Sequence, residues 1–387
     1  MRPAPGAAGV LRCFRGGRWY ESADTTAVVG GLRVCLAPEI MLRGDARKAP
    51  AGPLRMAGAA RREILRRAVS SFRDGAPVVG GIGAQDPAGF AASLGEIVGL
   101  PESLVWRWCD LLAASIAELA EVAPDRHSTL VWLPGNTFTC LVAVAEAVLR
   151  GSVVVVRPSN REPLSSARFV AALLDAGWPA DRIRFCPTET AMLDPLIRLT
   201  DRQIVYGGET VGAAVSDVST VEFRGPGRAC AIVAADTDPD HTAAWLAGLV
   251  AADSGRFCTN VCTIACLGDP AALTNRLGAL LDGIELAADP RWPVGWVSER
   301  TADRTADFVA GRTTAADRRL TTRELVVHSG GRTFLAPTLL RLPSPAGHPL
   351  AGCELPFPFA SVVAADEPAV QRLVARSRFV YRTGVSA

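Results

Sequence analysis

Val153-Val154-Val155-Val156-Arg157-Pro158-Ser159-Asn160 is the stretch whose reading decides the fold. Four β-branched apolar residues in a row, soon closed by a proline, make a short strand buried on both faces, as central strands of parallel sheets are. Outward from it the same grammar repeats. Residues 128–133, 182–186 and 203–206 read as strands, and 140–149, 165–174 and 194–198 as helices, the second of them stopped near Gly177. Short apolar strands separated by helices imply a parallel sheet with right-handed crossovers. This is a dinucleotide-binding type of domain.

Further out, Val34-Cys35-Leu36 reads as a short strand, 61–72 as a helix, and 100–122 as a second helix with Pro101 near its first turn. Beyond the sheet, 229–234 is a strand and 241–252 a helix. Then 260–267 is a strand, 271–281 a helix, and from Leu325 to Ala360 short strands alternate with proline-rich loops. The expected organisation is an α/β protein with three parts. Residues 1–235 hold N-terminal helices and a parallel-sheet dinucleotide-binding lobe, 236–364 an α/β catalytic lobe, and 365–387 a segment returning toward the first lobe.

Composition narrows the classes. A chain of 387 residues is too long for one compact core and suggests two lobes. Its hydrophobic content of 49% suits a well-buried protein. A net charge of +2 gives no reason to expect nucleic acid as a partner. Lys48 is the sole lysine, so arginine carries nearly all the positive charge. No signal-like apolar run opens the chain and no long uncharged apolar stretch follows, which predicts a cytoplasmic protein without a membrane span. The ten cysteines are scattered, unlike a disulfide framework. Cys262 and Cys266, four residues apart, invite a metal-site reading. On a strand they share one face with Ile264, toward the core, and no histidine is close, so no metal is expected.

One cysteine stands apart by its context, Asp253-Ser254-Gly255-Arg256-Phe257-Cys258-Thr259-Asn260. It is preceded by Pro134-Gly135-Asn136-Thr137-Phe138, Arg157-Pro158-Ser159-Asn160-Arg161 and Tyr206-Gly207-Gly208-Glu209-Thr210-Val211-Gly212, and followed by Glu354-Leu355-Pro356-Phe357-Pro358-Phe359. In that order these segments resemble the signatures of the aldehyde dehydrogenase superfamily, and more closely its acyl-thioester-reducing branch. The resemblance runs from about Arg61 to Phe359.

The resemblance implies an aldehyde dehydrogenase-like fold and a role for each segment. Cys258 takes the nucleophile's place, on a loop where Gly255 permits close approach and Arg256 adds positive potential. Asn136 takes the place of the oxyanion-stabilising amide, although Gly135-Asn136 is equally a common turn dipeptide. Arg157, Pro158, Ser159 and Arg161 match a Lys-Pro-Ser-Glu segment that contacts the adenosine ribose. Asn160 stands in place of the glutamate there, and the loss of that carboxylate beside Arg157 and Arg161 favours NADPH over NADH. A solvated basic loop explains Arg161 as well. Gly207 and Gly208 lie in the turn that receives the pyrophosphate. Glu354 and Phe357 match the segment that binds the nicotinamide ribose, and a buried proline-aromatic turn also accounts for them.

Two departures shape the expected function. Relatives that hydrolyse their acyl-enzyme carry a glutamate base where this chain has Arg224, and Glu222, two residues away, is expected to face the other side of its strand. The chain also stops at Ala387, sooner after the Glu-x-Phe segment than family members typically do, which implies a naturally abbreviated protein or one of reduced activity. The expectation is NADPH-dependent reduction of an acyl thioester, on coenzyme A or an acyl carrier protein, to an aldehyde through acyl-Cys258. The alternatives are NAD(P)-dependent aldehyde oxidation and a degenerate, non-redox scaffold that binds a partner. A homo- or hetero-oligomer is left open.

Overall fold

The computed structural model describes residues 9–22, 26–50, 52–120, 122–123, 127–344 and 347–383. The chain divides into two compact units between Gly225 and Pro226.

The first unit is built on a seven-stranded sheet in the order Val221–Arg224, Arg202–Tyr206, Ser128–Trp132, Val153–Arg157, Ile183–Phe185, Cys13–Arg15, Arg18–Tyr20. The first five strands run parallel, and the N-terminal hairpin adds antiparallel through Phe14 opposite Phe185. Val153–Arg157 lies at its middle and is buried throughout, as its unbroken β-branched run requires. Helix Leu164–Asp175 is likewise almost wholly buried, because helix Gly58–Asp74 packs over it. Phe72 sits among Phe90, Phe138 and Phe169, with ring centroids 5.4–5.8 Å apart in edge-to-face arrangements. Arg168, fully buried, reaches from Leu164–Asp175 to the end of Gly58–Asp74. It donates to the carbonyls of Phe72 (2.8 Å), Gly75 (2.8 Å) and Gln85, and lies 4.6 Å from the centroid of Phe90. A cation at a helix C-terminus is favourably placed, and here it joins three segments through their backbone carbonyls.

The second unit has a six-stranded sheet in the order Arg318–Arg319, Thr338–Arg341, Phe359–Ala364, Thr263–Cys266, Cys230–Val233, Val380–Arg382, all parallel except the first pair. Helices Pro239–Ala251 and Ala271–Asp282 cover one face with Ile264, Cys266 and Val362. Helices Glu299–Ala310 and Glu367–Val374 cover the other with Ile232, Ala265 and Val363. Alternate residues of Thr263–Cys266 thus serve opposite cores, the period of two expected of a strand.

Three expectations change. Strand Cys230–Val233 pairs with Thr263–Cys266 and so belongs to the second unit, which begins before residue 235. The segment after residue 364, expected to return toward the first lobe, belongs to the second unit, where its helix and its strand Val380–Arg382 complete the sheet and core. The helix expected over 100–122 is Glu102–Ala117, with Glu118 at its C-terminus, where acidic charge opposes the helix dipole. Among the described residues, no helix is long and apolar enough to cross a membrane, and no group of His, Cys, Asp and Glu suits a metal ion.

Candidate active site

In the first unit, three loops leave the carboxyl ends of adjacent parallel strands, the edge where open α/β sheets bind ligands. The loop after Ser128–Trp132 carries Gly135 and half-buried Asn136, and the loop after Val153–Arg157 carries Pro158 to Arg161. A Cβ on Gly135 would lie 2.4 Å from Ser159 Oγ and 2.8 Å from Arg161 Cβ, so only glycine lets these loops touch. The Ser159 hydroxyl accepts from the Arg161 amide at 3.0 Å.

Arg157 and Arg161 separate by burial. Arg157 is buried and donates to Asn160 Oδ1 and the Thr188 carbonyl, both at 2.8 Å, with its guanidinium 3.9 Å from the centroid of Trp132. Burial pushes its pKa down to about 10. Its donors hold the scaffold, so Arg157 positions the loop, whereas Arg161 is exposed. In the third loop the two glycines also differ. A Cβ on Gly207 would strike Val211 at 2.5 Å, a packing requirement, whereas Gly208 opens onto free space.

Arg224 ends the edge strand in a charge network. Nε donates to Glu222 Oε1 (2.9 Å), Nη1 to Glu146 Oε1 (3.1 Å) and the Tyr206 hydroxyl (2.9 Å), and Nη2 to Glu146 Oε2 (2.7 Å) and Glu222 Oε1 (2.6 Å). Every N–H of the guanidinium is engaged. Arg202 donates to the second Glu222 oxygen at 3.0 Å. Glu222 and Arg224 therefore share a face, against expectation, because residues two apart on a strand point the same way. Burial raises the Glu222 pKa, but the two arginines outweigh it and hold the carboxyl below the usual range.

In the second unit, helix Pro239–Ala251 breaks into a turn whose Asp253, Ser254 and Gly255 take φ of 52°, 60° and 66°. Two consecutive non-glycine residues in the left-handed region store strain, of the kind concentrated at functional sites. Contacts hold it. The Ser254 hydroxyl accepts from the Gly295 amide at 2.9 Å. A Cβ on Gly255 would lie 2.4 Å from the Phe357 carbonyl carbon, which is how the Glu354–Phe359 segment meets the loop. Asn260 staples the turn: its Oδ1 accepts from the Phe257 amide (2.8 Å), and its Nδ2 donates to the carbonyls of Leu249 (3.1 Å) and Ala252 (2.9 Å). Because Asn260 and Val261 serve this turn, the Val261 amide donating to the Leu249 carbonyl at 3.1 Å, the following strand starts at Thr263 and not at residue 260.

Of ten cysteines, Cys258 alone is exposed, whereas Cys262 and Cys266 are buried. A Cβ on Gly227 would lie 2.0 Å from the Cys258 carbonyl oxygen and 3.0 Å from its Cβ. Glu354 accepts from the Arg228 amide beside Gly227, so cysteine and glutamate flank one backbone turn. Shielding by the surrounding loop raises the Cys258 thiol pKa, the Glu354 charge raises it further, and Arg378 opposes both. Arg256, expected to supply positive potential, is instead buried, and its pKa is lowered to about 10.

The sequence pattern of the aldehyde dehydrogenase family matches residues 136–368, more than half of the chain, and spans both of these regions. The chain belongs to the aldehyde dehydrogenase family. Across 97% of its length it superimposes on an NAD-dependent benzaldehyde dehydrogenase from Corynebacterium glutamicum (TM-score 0.80, 18% identity, 90% of that chain). A similar match is an NADP-dependent glyceraldehyde-3-phosphate dehydrogenase from Bacillus halodurans (TM-score 0.75, 18% identity, 97% and 86% coverage). Among curated proteins, human cytosolic 10-formyltetrahydrofolate dehydrogenase is 27% identical over 154 residues, 34% of this chain and 17% of that protein. The chain therefore corresponds to only a small part of that relative's length.

In this aldehyde dehydrogenase family member, the site residues expected from the sequence fall in two groups. Asn136, Arg157, Pro158, Ser159, Arg161, Gly207 and Gly208 belong to the first unit, and Cys258, Glu354 and Phe357 to the second. Sequence reasoning passed over Asn260, Gly227, Arg378 and Tyr381. Pro226-Gly227 and Thr259-Asn260 carry turn character, which could have marked the first two. Nothing in the sequence marks the others, which backbone pairing brings to Gly227 and Thr259 beside Cys258.

Proposed function

We propose that the protein is an NAD(P)-dependent oxidoreductase of the aldehyde dehydrogenase type that works through an acyl-Cys258 intermediate. The observation that carries this reading is the exposure of Cys258 on a strained loop fastened by Asn260. A thiolate there attacks a carbonyl carbon, and the resulting oxyanion needs preorganised donors. Asn136 and the Cys258 amide take that role by family resemblance. A bound nicotinamide would supply the hydride chemistry.

The comparisons favour the aldehyde-level reading over the thioester reduction that sequence put first. The Arg224 network adds a refinement. In the place of the hydrolytic base stands a saturated arginine, ion-paired with Glu146 and Glu222, and the Glu222 carboxyl is held below the usual range and is a poor proton acceptor. Water is then weakly activated, and the acyl group is better exchanged with a thiol, such as coenzyme A or a carrier's phosphopantetheine. Read in reverse, that exchange is attack of Cys258 on a thioester, with the new C–S bond replacing the old and the thiol leaving. Acyl-Cys258, formed from an acyl thioester without cofactor, should persist in neutral buffer and discharge at least about tenfold faster with free thiol. Single-turnover decay of the adduct measures this. Rapid hydrolysis independent of thiol would return the protein to ordinary aldehyde oxidation.

The first unit's edge fits a phosphorylated dinucleotide in two respects, open space at Gly208 and an exposed Arg161 next to neutral Asn160. A charge-assisted contact contributes about 1.5–3 kcal/mol, so NADPH should bind roughly tenfold or more tightly than NADH. Arg161→Ala should remove that preference. Titration calorimetry with both nucleotides reads it, and equal affinities in the parent protein would refute the NADPH assignment.

A further inference from the structure

The segment Arg378 to Thr383 lies against the nucleophile loop and is fastened along its length. Strand Val380–Arg382 pairs with Cys230–Val233, placing Val380 opposite Cys230 and Arg382 opposite Ile232. The Arg378 amide donates to the Gly227 carbonyl at 2.7 Å, and the Cys230 amide to the Phe379 carbonyl at 3.0 Å. At the far end the Thr383 amide donates to the Ile232 carbonyl (3.1 Å), and its hydroxyl accepts from the Ala234 amide (3.0 Å). From within this segment the Tyr381 hydroxyl donates to the Thr259 carbonyl at 3.1 Å. One segment thus grips Gly227, which abuts Cys258, and Thr259, which follows it. Arg378 is exposed, and its side chain is free of any carboxylate partner among the salt bridges of the described residues.

We propose that Arg378 and Tyr381 are positioning residues for Cys258, the arginine stabilising its thiolate and the tyrosine fixing the loop through Thr259. This rests on the reading of Cys258 as the nucleophile. The charged groups that act on the sulfur are Glu354, negative, from the segment preceding strand Phe359–Ala364, and Arg378 from the C-terminal segment; Tyr381, whose pKa burial and then the cysteine raise, is neutral near pH 7. Arg256, within the loop itself, is buried. A cation beside a thiol favours the thiolate, and an anion opposes it. Arg378 is therefore the group that offsets Glu354.

The test is the pH dependence of Cys258 alkylation by iodoacetamide in the intact protein, followed by peptide mass spectrometry. Arg378→Gln should move the midpoint upward and slow alkylation near neutral pH by roughly two- to tenfold, while Arg378→Lys restores the parent profile. Glu354→Gln should move the midpoint the opposite way. Tyr381→Phe keeps the ring and loses the hydroxyl, and amide hydrogen exchange at Thr259 and Asn260 should rise several-fold with the alkylation midpoint unmoved. Superimposable profiles for the parent and Arg378→Gln overturn the arginine's role, as does slowing at every pH without a midpoint shift. Unchanged exchange in Tyr381→Phe overturns the tyrosine's. Failure of Cys258 to form an acyl adduct while the alkylation shifts appear would sink the proposed function and not the positioning.

Discussion

Cys258→Ala is expected to abolish the acyl adduct and to lower turnover by about four orders of magnitude or more, as removal of a covalent nucleophile does elsewhere. The two cysteines that follow it cannot substitute. Cys262 is buried and its sulfur donates toward the Ala229 carbonyl, and Cys266 is buried with its thiol pushed up to about 12. The thiolate is the attacking form, so both are inert near neutral pH. Mass spectrometry after incubation with an acyl thioester should find the modification on the Cys258 peptide alone. An adduct that survives in Cys258→Ala would remove the basis of the proposed function. The substitution itself should leave stability nearly unchanged, because the side chain is exposed.

The second large effect is expected at Gly227. A methyl group there would stand 2.0 Å from the Cys258 carbonyl oxygen, a separation no packed atoms tolerate, and the obstacle is backbone rather than a flexible side-chain tip. Its own carbonyl is held by the Arg378 amide, and the next amide by Glu354, so Gly227 cannot easily retreat. The nucleophile loop must move instead. Displacement of a reacting group by about 1 Å costs on the order of a hundredfold in rate. Gly227→Ala should accordingly lose about two orders of magnitude in acylation rate, with the overpacking lowering stability by about 1–3 kcal/mol. Stopped-flow acylation combined with denaturant unfolding separates the two. Acylation at the parent rate in a folded Gly227→Ala variant would show that this close approach does not govern the site.

Much of this architecture is legible in the chain because it depends on local pattern. The run Val153 to Val156 can only be a strand buried on both faces, and the alternation of such runs with apolar helices implies a parallel sheet. Cys258 stands out by the order of the segments around it. Register, pairing and burial are not local. That Val380–Arg382 adds to Cys230–Val233 follows from a pairing across some 150 residues of chain, so nothing local marks Arg378 or Tyr381. Arg157 and Arg161, nearly equivalent in sequence, part company because one guanidinium is buried against Trp132 and Thr188 and the other lies at the surface. Arg256 looked available for the same reason and is buried. The side of a strand on which Glu222 lies was readable from the period of two, but its ion pairing with Arg224 and Arg202 needed the neighbouring strand and helix in place. Charge neutralisation and steric closeness depend on which distant segments meet, and those meetings are decided only when the chain folds.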